Sequence, residues 1–340
     1  MKIQLIVVSL ILMFSLNRVV AQENSTAENL GKAIPPNVLN ALKNATDVKK
    51  IFPVNPGERF DGQVLKADEI IFAPGATLTL TNTSAPFIVI SAKRWKFADA
   101  EVTTKIMIAA AQASDGEDGD NGQDGKNGEG EINRRGNDGK PGLPGEPGKN
   151  GETSSQPHIY LVAGELTSPN GEPLPGSLRL AVVASGIDGG NGGTGGKGGN
   201  GGRGAPGKKG ATSAVDCSSG PGKGGTGGSA GQGGKGGLGG DGANGSDITV
   251  VGTRSVNELF SYARIFNDGG FGGRPGRSGL PGKIGLGGIQ AGPNGWCKSG
   301  QPGDAGDYPE PLDLGDGEAG KDGTKGDVTL VTVKNLSPVF

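Results

Sequence analysis

The residues able to carry out chemistry are few, and the first to consider is the single histidine. His158 follows Pro157 at the start of an apolar, strand-like run, with no serine or cysteine nucleophile motif nearby. A histidine that acts as a general base needs such a nucleophile within hydrogen-bond reach. We therefore interpret His158 as a polar residue at a strand edge, and we predict that the chain has no catalytic residue and is not an enzyme.

A cation site is the second possibility. Between Asp115 and Asp124 carboxylates and amides alternate with glycine, and oxygen ligands on a flexible backbone are what calcium binds. The spacing is not that of an EF-hand, because Gly122 occupies the fifth position counted from Asp118. Solvated positions of a repeat explain the segment as well or better, so we predict no metal site and no cofactor.

Phosphate-binding loops are the third possibility. The string Gly-x-Gly-x-x-Gly occurs at Gly190, Gly192 and Gly195, but a glycine-glycine-X tract generates it automatically. The strand, helix and distal acid of a dinucleotide site are missing around it. No Gly-Lys pair precedes Ser or Thr, which excludes a P-loop. With 33 basic and 35 acidic residues interleaved, no basic face indicates a nucleic-acid partner.

The N-terminus is typical of a secretory signal. Lys2 is followed by an apolar run and by small residues ending at Ala21, which predicts a mature chain starting near Gln22. Later segments are too short and polar to span a bilayer. We therefore expect an exported protein, secreted or on the cell surface. In a eukaryotic pathway, five sequons would be glycosylation sites: Asn24, Asn44, Asn82, Asn244 and Asn335.

The chain has two cysteines, Cys217 and Cys297. An even number of cysteines in an exported chain favours pairing, so we predict one disulfide, with two unrelated thiols as the alternative. Each cysteine lies in a break within a glycine-rich segment, so this bond would tie two such segments together.

The elements that would position these residues are mainly strands. Apolar residues at steps of three or four predict one short helix between Pro35 and Phe52. From Glu69 to Ala110 the pattern changes to short β-favouring runs separated by turn signals. Further strands are predicted at 159–163, 178–184, 248–252 and 328–333, and three glycine-rich excursions separate them: Gly116 to Gly151, Gly186 to Gly245, and Gly269 to Gly326.

Within the excursions glycine recurs at every third position for five to nine repeats, as from Gly186 to Gly210. A period of three is that of polyproline II, in which every third residue faces the same side. The segment from Gly139 to Gly151 resembles collagen-like Gly-X-Y proteins, and this resemblance implies a trimer with glycine on a crowded axis. Gly189 to Gly204 instead resembles the polyglycine-II bundles of springtail antifreeze proteins and phage adhesin tips, which implies single-chain legs lying side by side.

Because the glycine phase resets and each excursion returns to a strand, folded-back legs of one chain are favoured over a trimer, with disorder of the glycine-rich parts as a further alternative. The predicted fold is mainly β with little helix: a small β-solenoid or sandwich base that carries three excursions with polyproline-II or polyglycine-II segments. The predicted domains are a signal peptide at 1–21, a linker with a short helix at 22–60, a β region at 61–112, and a glycine-rich region interleaved with strands at 113–340.

Composition supports a structural function. The 340 residues include 69 Gly and 22 Pro, and only 33% are hydrophobic, so one ordinary core cannot occupy the whole chain. We expect a secreted structural or surface protein, similar to collagen-like and matrix proteins, that acts by packing or interaction, including self-association or binding to matrix or surface components. An adhesin-like or ice-binding module is the alternative. A polysaccharide-acting solenoid enzyme would need paired acids on adjacent coils.

Overall fold

A computed structural model describes residues 22–23, 31, 34–109, 112–174, 178–337 and 339–340. The predicted signal peptide and the sequon at Asn24 lie outside these residues. The strands, in chain order, are β1 (Gln22–Glu23), β2 (Val48–Val54), β3 (Glu58–Phe60), β4 (Val64–Phe72), β5 (Thr77–Leu80), β6 (Phe87–Phe97), β7 (Thr104–Ile108), β8 (Glu131–Ile132), β9 (Arg135–Gly136), β10 (His158–Thr167), β11 (Leu180–Val183), β12 (Ala211–Thr212), β13 (Cys217–Ser219), β14 (Ile248–Gly252), β15 (Arg264–Phe266) and β16 (Val328–Thr332). The helices are α1 (Pro36–Lys43) and α2 (Arg254–Phe260).

Two parallel sheets form the base of the molecule. The first sheet has the order β1-β16-β14-β10-β6-β4-β2, and the second has the order β15-β11-β7-β5-β3. The chain alternates between them, so each turn of the chain adds one strand to each sheet. The pairings are parallel and, from β2 to β16, follow the sequence order, so the base is a two-sheet β-solenoid. The two-residue β1 pairs with the last strand, β16. The prediction of a mainly β chain with little helix is confirmed.

The core lies between the two sheets and consists of alternate side chains. In β4, for example, Leu65, Ala67, Ile70 and Phe72 are buried while the residues between them are partly exposed. Within each half of β4 this period of two is expected for a strand that buries one face; Asp68 and Glu69, both partly exposed, separate the two halves. Near the C-terminal end of β6, the rings of Trp95 and Phe260 meet edge to face with centroids 5.9 Å apart, so α2 packs against the core on this side of the solenoid.

The outer face of the first sheet is also covered. Val38 and Leu42 of α1 pack with Val89, Tyr160 and other residues in a second apolar cluster, to which the C-terminal segment contributes Val333, Leu336 and Val339. Strands at the centre of this sheet are therefore buried on both faces. This explains why β6 begins with six consecutive buried residues instead of an alternating pattern.

The prediction of one helix between Pro35 and Phe52 is wrong for the second half of that range. The helix ends at Lys43, and Val48–Val54 form β2, which pairs in parallel with β4. Asn44 to Asp47 interrupt the helix, and the β-branched and aromatic residues that follow are better suited to a strand. The apolar spacing was read as helical because Val48 and Phe52 are also four residues apart. Helix α2 was not predicted.

The three excursions leave and re-enter the base at corresponding positions. The short connections at 61–63 and 81–86 link the second sheet to the first sheet in the early turns of the solenoid, and the excursions replace them in the later turns. They start after β7, β11 and β15, which are neighbours in the second sheet, and return to β10, β14 and β16, which are neighbours in the first sheet.

Candidate functional site

Each excursion runs out and back as two extended legs, so that six legs lie side by side. Legs 1 and 2 comprise residues 112–129 and 137–153, legs 3 and 4 comprise 185–208 and 221–247, and legs 5 and 6 comprise 267–292 and 299–327. The odd-numbered legs continue from the second sheet and the even-numbered legs lead into the first sheet. The two layers of the rod are therefore extensions of the two sheets of the base.

Backbone hydrogen bonds with a three-residue repeat hold each layer together. In the odd layer, Gly119 donates to the Thr194 carbonyl at 2.7 Å, and Gly192 donates to the Arg274 carbonyl at 2.8 Å. Both members of each pair advance by three residues in the same direction, so legs within a layer are parallel. The glycine-rich segments are thus ordered by bonds within one chain. The polyproline-II dihedral angles of these segments stay a prediction.

Bonds between the layers explain why legs 3 and 4 are rich in paired glycines. Gly196 donates to Glu146 of leg 2 and accepts from Gly234 of leg 4, each at 2.8 Å. A Cβ on Gly195 would meet the carbonyl of Gly234, and a Cβ on Gly196 would meet the carbonyl of Asp120. Legs 3 and 4 have neighbours on several sides, so two of every three positions must be glycine.

A ladder of Asp and Asn side chains joins neighbouring legs along the outer surface. In leg 1, Oδ1 of Asp118 accepts the backbone N–H of Thr194 at 2.7 Å, and Oδ1 of Asp124 accepts that of Asn200 at 2.7 Å. Asp115, Asn121 and Asn127 make equivalent bonds to leg 3. Asn191 and Asn200 of leg 3 repeat the arrangement toward leg 5.

This ladder changes the interpretation of the acidic segment. The sequence predicts solvated repeat positions between Asp115 and Asp124, with calcium as the alternative, whereas the side chains at 115, 118, 121 and 124 accept backbone hydrogen bonds. The sequence signal is an Asp or Asn directly before the phase glycine, because that residue faces outward beside the next leg. Among the residues that the structure describes, no group of three or more acidic, His or Cys side chains could hold a metal ion.

The glycines of the string at Gly190, Gly192 and Gly195 have no donor left for a phosphate. Their N–H groups bond to the carbonyls of Glu152, Arg274 and Arg277. A phosphate loop depends on free backbone donors, so the string is part of the rod's packing.

Each leg pair ends in a tight hairpin that exposes one large apolar side chain. Ile132 precedes a turn in which Asn133 and Arg134 both have positive φ, of 48° and 74°. Val215 lies in the turn between β12 and β13 and is 81% exposed, while Ile132 and Trp296 are each 66% exposed. Trp296 lies in the two-residue turn closed by the Asn294–Cys297 bridge. All three apolar side chains are therefore at the far end of the rod.

Specific contacts hold the three hairpins together. Arg134 of the first hairpin donates through Nη2 to the Lys209 carbonyl at 2.6 Å and through Nε to the Gly220 carbonyl at 2.8 Å. The predicted disulfide between Cys217 and Cys297 is confirmed, with an S–S distance of 2.05 Å, and it joins the second hairpin to the third. The rod therefore ends in one connected surface.

This surface, which we call the distal tip, comprises residues 130–137, 205–225 and 288–303. It carries six basic and two acidic residues, a net charge of +4, although the whole chain has a net charge of −2. The rest of the chain is correspondingly acidic. Three tip cations form ion pairs: Lys208 with Glu131, Arg135 with Asp138 and Lys223 with Asp304, the last two acids lying just outside the tip. Arg134 bonds to neutral carbonyls, so its positive charge is not neutralised there.

A polar cavity of about 740 Å³ lies where the rod meets the base. His158, Asp247 and Asp327 line it, together with Ser154 and Ser155. His158 starts β10, stacks on Tyr160 at 4.2 Å, and its Nε2 lies 2.9 Å from Thr249 Oγ1. Burial lowers the pKa of His158, which favours the neutral ring.

Asp247 and Asp327 bear on the solenoid-enzyme alternative, because they precede β14 and β16 on adjacent coils. Paired acids were expected to be rare there. Oδ1 of Asp247 accepts the backbone N–H of Asp327 at 2.8 Å, which is the same ladder contact that joins legs elsewhere. The carboxylate of Asp247 therefore has a structural role in this contact. The absence of catalytic activity stays a prediction.

The sequons differ in their accessibility. Asn44, Asn244 and Asn335 are exposed and Asn82 is half-buried. Asn244 is part of the ladder, where its Oδ1 accepts the N–H of Thr324 at 2.8 Å. Their use as glycosylation sites stays a prediction.

Comparison with known proteins gives little. No family model and no curated protein matches the chain. One solved structure is similar over 64% of this chain and 98% of its own length, at 23% identity: the nine-helix polyproline-II bundle antifreeze protein of the springtail Granisotoma rainieri. The TM-score is 0.11, which carries no argument about fold or function. Within the described part of the chain, no helix is long and apolar enough to cross a membrane.

Proposed function

We propose that this chain is an exported structural protein in which a β-solenoid base carries a rigid single-chain rod, and that it acts by packing or interaction at a surface. The observation that supports this most is the continuity of the two rod layers with the two sheets. Neighbouring strands fix the spacing and order of the legs that grow from them. The base therefore determines how the legs of the rod are arranged.

Export is part of the proposal. A disulfide between residues 80 positions apart is compatible with an oxidising compartment. The sequence of the first 21 residues supports the same location. We therefore infer that the protein is secreted or held at the cell surface, where a rod that needs no partner chain can project from its base.

An adhesin-like module is the second candidate, and the distal tip favours it. Three hairpins expose Ile132, Val215 and Trp296 at the end of the rod. None of the three is covered by a neighbouring leg, and they lie together at one end of the rod, whereas the exposed apolar side chains of leg 5, such as Phe271 and Leu280, are spread along its length. Ice binding is less well supported, because the outward positions of legs 3 and 5 include Lys197, Arg203, Arg274 and Arg277, whereas an ice-binding face needs small apolar or Thr side chains.

Sedimentation combined with circular dichroism tests the rod. We expect a monomer of about the chain mass, 34.0 kDa, with a polyproline-II signal that melts together with the base. A trimer with a separate collagen-like melt would contradict the proposal. A thermal-hysteresis measurement on the same sample separates the ice-binding alternative, for which we expect no activity.

A further inference from the structure

We propose that the distal tip docks on an anionic lipid surface by inserting its apolar hairpin side chains into the interfacial layer. This inference rests on the proposed function, because it requires a rod that holds the tip away from the base. Its structural basis is the combination of apolar side chains at three hairpin apices with a positively charged surround.

The shape of the tip favours a lipid partner over a protein partner. Ile132, Val215 and Trp296 lie on convex turns, and a convex turn buries little area against a protein surface, whereas stable protein interfaces bury about 800 Å² on each partner. A lipid interface can surround a projecting side chain on all sides. Tryptophan is well suited to that layer, because its ring is apolar and its N–H stays hydrogen-bonded to water.

The charge of the tip favours an anionic surface. Its net charge of +4 falls to +2 when Asp138 and Asp304, which pair with tip cations just outside it, are counted. The acidic residues of the chain lie mainly along the legs, so a negatively charged membrane would attract the tip and repel the legs. Lys209 and Lys298 are exposed beside the second and third hairpins. Each basic residue near an anionic membrane contributes about 1 kcal/mol, and the disulfide and Arg134 hold these groups next to the apolar side chains.

Tryptophan fluorescence tests the inference directly. The chain has two tryptophans; Trp95 is fully buried in the base core, and Trp296 is at the tip. We expect phosphatidylglycerol vesicles, but not phosphatidylcholine vesicles, to shift the emission of the full chain to the blue, and lipids brominated on their acyl chains to quench it. In Trp296→Phe both responses should disappear while Trp95 emission is retained.

Vesicle co-sedimentation supplies a readout that does not depend on Trp296. We expect Lys209→Ala to weaken binding to phosphatidylglycerol vesicles about fivefold, which is the factor equivalent to 1 kcal/mol, and Val215→Ser with Ile132→Ser to weaken it further. Matched controls are Lys105→Ala, an exposed residue of β7 in the base, and Phe271→Ala, which removes a 71% exposed side chain at the base end of leg 5. Neither control should change binding.

Two outcomes would overturn the inference. One is a folded, monomeric rod that shows no vesicle-dependent change, and this result would leave the proposed function intact. The other is equal binding to a soluble polyanion such as dextran sulfate without quenching by brominated lipid, which would reassign the tip to an anionic polymer. Loss of the rod in sedimentation and circular dichroism would instead contradict the proposed function itself.

Discussion

At the scale of single residues, the rod depends on the absence of side chains at defined positions. Gly196 is enclosed by legs 1, 2 and 4, and a Cβ there would meet the Asp120 carbonyl. Backbone carbonyls cannot move without breaking the hydrogen bonds of the adjoining legs. Conformational freedom is therefore secondary at this position, and close approach of the backbones is what requires glycine.

Replacing Gly196 by Ala tests this requirement. We expect the free energy of unfolding to fall by about 3 kcal/mol, at the upper end of the usual cost of overpacking, because the surrounding carbonyls are fixed. Chemical denaturation monitored by circular dichroism measures it. Gly220→Ala is the matched control, since a Cβ at Gly220 has nothing within 4 Å. Equal effects of the two changes would contradict the close-packed rod.

The carboxylate of Asp124 in the ladder should make leg 1 sensitive to acid. Bonds from Asn200, chiefly from its backbone N–H, lower the pKa of Asp124 from the usual value of 3.8. A carboxyl group with a lowered folded-state pKa stabilises the fold above its unfolded pKa, and this contribution is lost as the pH falls through the folded value. The loss should therefore occur below about pH 4.

Asp124→Asn separates the titration from the hydrogen bond, because the amide oxygen can still accept from Asn200. We expect thermal midpoints near those of the parent at pH 7 and a shallower decline below pH 4. Asp120→Asn removes the same charge from leg 1 at a position outside the ladder. It should leave the decline of the thermal midpoint below pH 4 unchanged. If added calcium raises the midpoint of the parent, the ladder interpretation of this segment is incomplete.

At the scale of elements, the sequence predicts the strands well and the pairing between legs poorly. The runs at 159–163, 248–252 and 328–333 correspond to β10, β14 and β16, because apolar β-branched residues leave little choice of structure. The pairing between legs could not be predicted, because a glycine repeat looks the same in every register. That register comes from the order of strands in the base, which is a long-range property.

The helix error has a related cause. Val48 and Phe52 satisfy a helical spacing, but β2 forms because β4 offers a parallel edge, and such a partner is invisible in a local pattern. The tip shows the same limit. Cys217 and Cys297 could be paired from their number alone, whereas nothing in the sequence showed that Arg134 and the three exposed apolar residues lie on one surface.

The disulfide should stabilise the tip more than the legs. Closing an 80-residue separation removes chain entropy worth about 4.5 kcal/mol from the unfolded state in the simple loop model. We expect reduction to open the second and third hairpins, with new tryptic cleavage after Lys208, Lys209 and Lys298. Cleavage after Lys149, far from the tip in leg 2, should stay slow and serves as the internal control. Equal digestion of reduced and oxidised protein would contradict this role.

At the scale of the whole molecule, the central leg pair connects the other two. Legs 3 and 4 bond to legs 1 and 2 on one side and to legs 5 and 6 on the other, through repeated glycine N–H groups. Replacing residues 184–247 with the six-residue connection at 81–86 should therefore leave two separate leg pairs. Replacing residues 109–157 in the same way should leave legs 3 to 6 as one bonded bundle.

We expect these two replacements to have different effects on the rod and the same effect on the base. In a Trp296→Phe background, emission from buried Trp95 should show a folded solenoid in both proteins, because the short connection already joins the two sheets after β5. Trypsin should digest leg 5 rapidly after Arg277 and Lys283, whose carbonyls bond to leg 3, only when the central pair is missing. Because that replacement also removes Cys217, the edge replacement is tested with Cys217→Ser and Cys297→Ser. If digestion is equally slow in both proteins, each leg pair is stable by itself, and the layered bundle is not what makes the rod rigid.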